Sequence, residues 1–171
     1  MIIFSEYIEY LEESAYAPLY HGTTVPRLYN ILDEGKLNTG FRSTSHWPTK
    51  GGSQVSLTRN FEFAKHWPIA VDNTSNWSVM EFDRQKLRNN YKIVPFNFFD
   101  DKTRYSHSER NQYGIDMNQY EEVVTRPIQN PLKYVDKIYM APRLDGRVQP
   151  AFGSLWDTIA DRVFFTERRI K

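Results

Sequence analysis

The sequence predicts an α+β fold with largely antiparallel sheets, built as one domain over residues 1–171. Three observations predict it. Short helical stretches and short strands alternate in mixed order along the chain. Many strands stand too close together for the crossover helices that parallel pairing needs. No repeat, linker or break in composition divides the 171 residues, a length that buries one sizeable core without disulfides or a structural metal. Hydrophobic residues make up 40% and charged residues 25%, the balance of an ordinary globular chain.

The elements follow in order. Residues 4–15 set Phe4, Ile8, Leu11 and Ala15 on one helical face with acids on the other, an amphipathic helix that Pro18 stops. Leu19-Tyr20-His21 reads as a short strand. Thr24 is placed to cap a second helix with Pro26 in its first turn, a buried stripe of Leu28, Ile31 and Leu32, and Gly35 as terminator. Residues 38–53 are rich in Gly, Ser, Thr and Asn and read as a loop. Val55 to Thr58 alternates as a strand, and Asn60 caps a helix carrying Phe61, Ala64 and Trp67. Trp77 to Phe82 is a strand, Asp83 caps a short helix through Leu87, and Tyr91 to Val94 is a further strand. Residues 96–118 are polar without periodicity, the pattern of a long functional or mobile loop. Glu121 to Ile128 and Val135 to Met140 read as strands either side of the turn Asn130-Pro131. A helix over 151–161 holds Leu155, Trp156 and Ile159, and Val163-Phe164-Phe165 forms the last strand. Arg168 to Lys171 make a basic tail, whose ordinary reading is a solvated terminus.

Composition excludes several classes of function. Lys and Arg number 22 against 21 acids, a formal charge of +1, so any grip on nucleic acid must come from a local patch. Without cysteine there is no disulfide scaffold, no thiolate zinc site and no cysteine nucleophile. The start MIIFSEYIEYLEES has acids and no basic n-region, unlike a signal peptide, and no apolar run approaches the ~20 residues of a membrane span. The expectation is a cytoplasmic protein without a membrane partner. His21, His46, His66 and His107 show no metal-ligand spacing, so no metal is expected. A Walker lysine loop, a G-x-G-x-x-G and a G-x-S-x-G are all missing. Aromatics reach 15%, enough to fill a core or to stack on a base.

Three segments carry polar residues into apolar strands. In Tyr20-His21-Gly22-Thr23-Thr24 a histidine precedes a glycine, which lets a ligand approach the backbone, and the imidazole can bond a sugar hydroxyl. In Val55-Ser56-Leu57-Thr58-Arg59, Ser56 and Thr58 share one strand face and Arg59 opens the next helix. In Gln119-Tyr120-Glu121-Glu122-Val123-Val124, two acids enter a valine-rich strand, where acids are poor residues. Each also has an ordinary structural reading: a satisfied His-Gly turn, a half-exposed strand with a cap, a solvated sheet edge. Period two puts a valine on both faces of the third segment, so either acid could point inward.

Taken together, in this order and spacing, the three segments resemble the ADP-ribosyltransferase superfamily, and the pattern looks like small transferase-like proteins carried by bacteriophages. The resemblance spans roughly residues 18 to 141. It implies a split antiparallel β-sheet sandwich with flanking helices and NAD as substrate without a metal. His21 would hold the adenosine-side ribose, Gly22 would bond the nicotinamide carboxamide through its backbone, and Thr23 would lie beside them. Ser56 would support the pocket and its glutamate, with Thr58 and Arg59 nearby. Glu122 would contact the nicotinamide ribose, stabilising the oxocarbenium-like charge that builds as nicotinamide leaves. Glu121 is the other candidate, since Gln119 two residues earlier makes a Gln-x-Glu; Glu122 is preferred because it abuts Val123-Val124. Position 21 is His where the arginine-modifying branch has Arg, and Tyr120 stands where that branch has Glu or Gln. The acceptor is thus left open among protein side chains and nucleic acid. The alternatives are an NAD glycohydrolase, an RNA 2'-phosphotransferase-like enzyme whose basic residues would be Arg42, Arg59, Arg104 and Arg110, or an inactive binding module using the 96–118 loop with Tyr105, His107 and Tyr113.

Overall fold

The computed structural model describes residues 16–38, 54–72, 75–95 and 121–166. The expected helix over 4–15, most of the 38–53 loop, the 96–118 loop and the basic tail lie outside the described residues. In chain order the elements are β1 (Leu19–Thr24), α1 (Val25–Asp33), β2 (Lys36–Leu37), β3 (Val55–Thr58), α2 (Phe61–Asp72), β4 (Trp77–Phe82), α3 (Arg84–Arg88), β5 (Ile93–Pro95), β6 (Glu121–Val124), β7 (Ile128–Gln129), β8 (Val135–Met140), α4 (Val148–Phe152), α5 (Trp156–Ile159) and β9 (Val163–Phe165). Single 3-10 turns join the later ones.

Seven strands form one sheet in the order β5-β6-β3-β1-β4-β8-β9, and β2 pairs with β7 separately. Every pairing is antiparallel except β8 with β9. The sheet is nearly divided at its middle. β1 pairs with β4 along all its residues, Leu19↔Phe82 through Thr24↔Trp77, but with β3 only at Tyr20↔Thr58. In register, His21 to Thr24 would face Leu57 back to Gln54; those pairings do not form, so the strands part beyond Tyr20. One half is then β5-β6-β3 and the other β1-β4-β8-β9.

Both faces of β4 are covered, since all six of its residues are buried. One cover is α2. Phe61 packs edge-on against Tyr20 and Tyr139, with ring centroids 5.6 and 5.0 Å apart. The helix then runs against β1 so closely that a Cβ on Gly22 would lie 1.7 Å from the Ala64 carbonyl oxygen. Pro68, four residues on inside α2, has no N–H to give that carbonyl. The oxygen instead faces Gly22, where the missing side chain leaves room for it. In α1, Thr24 stands at the cap position without a side-chain cap bond, and Leu28 and Leu32 are buried. A lost cap costs about 1 kcal/mol, and each buried leucine contributes about 2 kcal/mol. Packing, not capping, holds this helix.

The departures from the sequence reading have physical causes. The strand expected over 121–128 ends at Val124, and Ile128 joins the second sheet. Pro127 cannot donate to a ladder, so the chain turns there. The single helix expected over 151–161 is broken into α4 and α5 at Gly153, whose φ is +53°. The strand expected from Tyr91 starts at Ile93, because Tyr91 N–H closes the end of α3 on the Leu87 carbonyl at 2.9 Å. The Gly22 approach yields a test of the frame: Gly22→Ala has no room that a rotamer change can provide, because the obstacle is backbone. Equilibrium urea denaturation should show a loss on the order of 3 kcal/mol; an unchanged midpoint would contradict the packing described.

Candidate active site at the split in the sheet

Pairing fixes which side chains share a face. Tyr20 and Thr58 are partners, so His21 and Leu57 point to the opposite side. Leu57 pairs with Glu122, which puts His21, Leu57 and Glu122 on one face. Ser56 pairs with Val123 and lies on the other face from Glu122. The sequence resemblance implied that Ser56 supports the glutamate; here its carbonyl, not its hydroxyl, takes part in the site.

Glu122 is the carboxylate turned inward, 2% exposed and bound by two guanidinium groups. Arg59, in the bend after β3, donates from Nη2 to Oε1. Arg84, the first residue of α3, donates from Nη2 to both oxygens, at 2.9 Å to Oε1 and 3.0 Å to Oε2. An isolated carboxylate this deep would cost several kcal/mol; the two cations compensate it. Glu121 pairs with Thr58 through the backbone, and its side chain is outside the described residues.

His21 stands where β1 and β3 part. Its Nδ1 lies 3.0 Å from the Ser56 carbonyl oxygen. A carbonyl only accepts, so Nδ1 carries the proton and donates. The side chain thus spans the gap that the missing ladder pairs leave. Burial pulls the imidazole pKa below its usual value, with the Ser56 hydrogen bond acting the other way. The ring is therefore neutral at pH 7, and Nε2 is left as an acceptor, the role a sugar hydroxyl requires.

The remaining candidates have structural employment. The Thr58 hydroxyl accepts from the Asn60 N–H at 3.0 Å, and Asn60 Oδ1 accepts from the Phe63 N–H at 3.1 Å, which starts α2. Thr23 is buried, and its carbonyl accepts from the Ser78 hydroxyl at 3.2 Å. The space opposite Gly22 is filled by Ala64 on the α2 side. His21, Gly22 and Ser56 nevertheless keep solvent exposure, whereas every residue of neighbouring β4 is buried. Among the described residues no group of three His, Asp or Glu side chains is arranged to hold a metal ion. No helix among them is long and apolar enough to cross a membrane.

Sequence reasoning missed Arg84. One signal was present: a cation follows the capping Asp83 directly, at the helix end where the backbone dipole disfavours positive charge. Such a residue asks for an anion, and Glu122 is that anion.

The histidine geometry has a pH consequence. In the unfolded chain the imidazole titrates near 6.5; folded, its value is lower. Protons therefore bind the unfolded state preferentially below pH ~6.5, and stability falls as pH drops through the folded value. Denaturation midpoints taken from pH 7.5 to 5 should fall more steeply for the parent than for His21→Gln, which keeps a donor to Ser56 but does not titrate. Parallel curves would show that the ring is not desolvated.

No family model matches the sequence, and no curated protein does. Solved structures match in fold. Thermus sp. 2.9 DarT in complex with NAD+ aligns at a TM-score of 0.54 and 13% identity, over 89% of this chain and 96% of that one. The same protein in complex with carba-NAD+ gives 0.53 at 14% identity with the same coverage. In complex with ADP-ribosylated single-stranded DNA it gives 0.53 at 14% identity, over 89% and 95%. At such identities the likeness is one of fold. The chain has the ADP-ribosyltransferase fold, in the form it takes in DarT.

Proposed function

We propose that this protein is an NAD-dependent ADP-ribosyltransferase that breaks the nicotinamide–ribose bond and passes ADP-ribose to a macromolecular acceptor. One observation carries the reading: Glu122, a buried carboxylate held by two arginines, shares a sheet face with His21 at the place where the sheet divides. For stability alone, well-packed apolar residues would serve as well as such a trio. The fold shared with DarT, whose structures hold NAD+ and carba-NAD+, supports NAD as the substrate.

In this reaction the bond from ribose C1′ to the pyridine nitrogen breaks, and its electron pair leaves with neutral nicotinamide. Positive charge spreads over C1′ and the ring oxygen, where the Glu122 carboxylate stabilises it. His21, fixed by Ser56, offers Nε2 to a ribose hydroxyl. The backbone of Gly22 and Thr23 lines the same strand edge. Arg59 sits beside the glutamate, and Thr58 starts the turn that delivers it. The acceptor nucleophile then attacks C1′ and gives up its proton to solvent.

A nucleic-acid acceptor has the best support. DarT appears with ADP-ribosylated single-stranded DNA, and this chain exposes Arg88 and Lys92 at the end of α3 and in the residues after it. Exposed Arg126 lies over the Tyr91 ring at 4.8 Å in the same region. This is a local patch on a chain of formal charge +1. Such an enzyme would act in the cytoplasm, where NAD is held. The resemblance to phage-carried transferases would make a host macromolecule its target.

The test is incubation with NAD labelled in its phosphates, together with single-stranded DNA, RNA or lysate protein. Nicotinamide release and labelled acceptor are expected. Glu122→Gln should lower release at least ~10²-fold, and Glu121→Gln much less. Label found only as free ADP-ribose would make the enzyme a glycohydrolase. No release, no label and no NAD binding by calorimetry would end the proposal.

A further inference from the structure

We infer that Arg84 is a positioning residue, which sets where the Glu122 carboxylate lies across the split in the sheet. The inference rests on the transferase reading above. Arg59 binds Oε1 alone. Arg84 meets both oxygens from a single Nη2, so it faces the end of the carboxylate and sets how far the group reaches toward the other half of the sheet. Its reach is also different. Arg59 follows β3 in the same half-sheet as Glu122, whereas Arg84 follows β4 in the other half.

The base of Arg84 is firmly held. The Asp83 N–H donates to the Tyr134 carbonyl at 2.8 Å, and Asp83 Oδ1 accepts from the Lys86 N–H at 3.0 Å. Lys86 Nζ bridges Asp83 at 3.1 Å and Asp136 at 3.0 Å. Asp136 is the extra residue of β8 where the register with β4 shifts between Glu81 and Phe82. The irregularity thus turns a carboxylate toward α3 and pins the segment that carries Arg84. A supporting contact so anchored holds its partner while Arg59 exchanges its one bond for substrate.

Removing Arg84 leaves Glu122 paired with Arg59, so the fold should persist. The experiment compares the full-length chain with Arg84→Ala and Arg84→Lys. For Arg84→Ala, kcat for nicotinamide release should fall about 10- to 100-fold, with KM and NAD affinity by calorimetry within about twofold. Arg84→Lys should recover part of kcat, and added guanidinium should restore part of the Arg84→Ala activity but none to Glu122→Gln. A crystal structure of Arg84→Ala should show the Glu122 carboxylate displaced from its parent position. That last readout needs no turnover: if the parent itself releases no nicotinamide, the transferase reading fails while the positioning role is still judged by where the carboxylate lies. An undisplaced carboxylate, unchanged kcat, or a KM that rises as far as kcat falls would overturn the inference.

Discussion

The architecture turns on the unequal pairing of β1. Six residues are bound to β4 and one to β3, so a strand at the centre of the sheet is zipped on one side and open on the other. Buried backbone must find partners, and an unzipped central strand is tolerable only with substitutes. The His21 side chain supplies one by donating to the Ser56 carbonyl. Solvent reaches His21, Gly22 and Ser56. On the other side, α2 presses its Ala64 carbonyl onto Gly22, fixing β1 against the helix where β3 no longer supports it.

Electrostatics act at the closed end of the same opening. Glu122 lies opposite Leu57, one position from the single Tyr20↔Thr58 link. The arginines that bind it come from different halves of the sheet. Removing one partner of a buried pair typically costs 3–5 kcal/mol because a charge is left alone; with two cations present, loss of one still leaves the carboxylate matched. In the reaction proposed, that redundancy would separate two tasks of the carboxylate, which must be tolerated by the interior and also be free to meet a developing cation.

Much of this could be read from residues in order. Alternation in Val55 to Thr58, the Asn60 cap and the mostly apolar Trp77 to Phe82 stretch point to β3, α2 and β4 because each depends on local rules. His21, Arg59 and Glu122 were named because they interrupt apolar strands. What failed locally depended on distant partners. The two-residue β2 exists only because Lys36 and Leu37 find Gln129 and Ile128. The family resemblance puts Ser56 with the glutamate, but faces are set by register, and Ser56 meets Val123. Arg84 went unseen because a guanidinium acting 38 residues away in sequence leaves no periodic trace.

Gly22 shows how one residue type can satisfy two readings. The sequence argument gave it to a ligand, on the ground that glycine admits close approach. The approach is real, yet the visitor is the Ala64 carbonyl, freed from its helical bond by Pro68. A glycine, an alanine and a proline in three separate places thus act as one device: the proline bares the oxygen, the alanine keeps the helix surface low, and the glycine makes room. By holding β1 there, the device fixes the backbone from which His21 projects, on the face opposite the helix, which Glu122 shares. The face proposed for catalysis is therefore shaped by packing on the reverse side of the sheet.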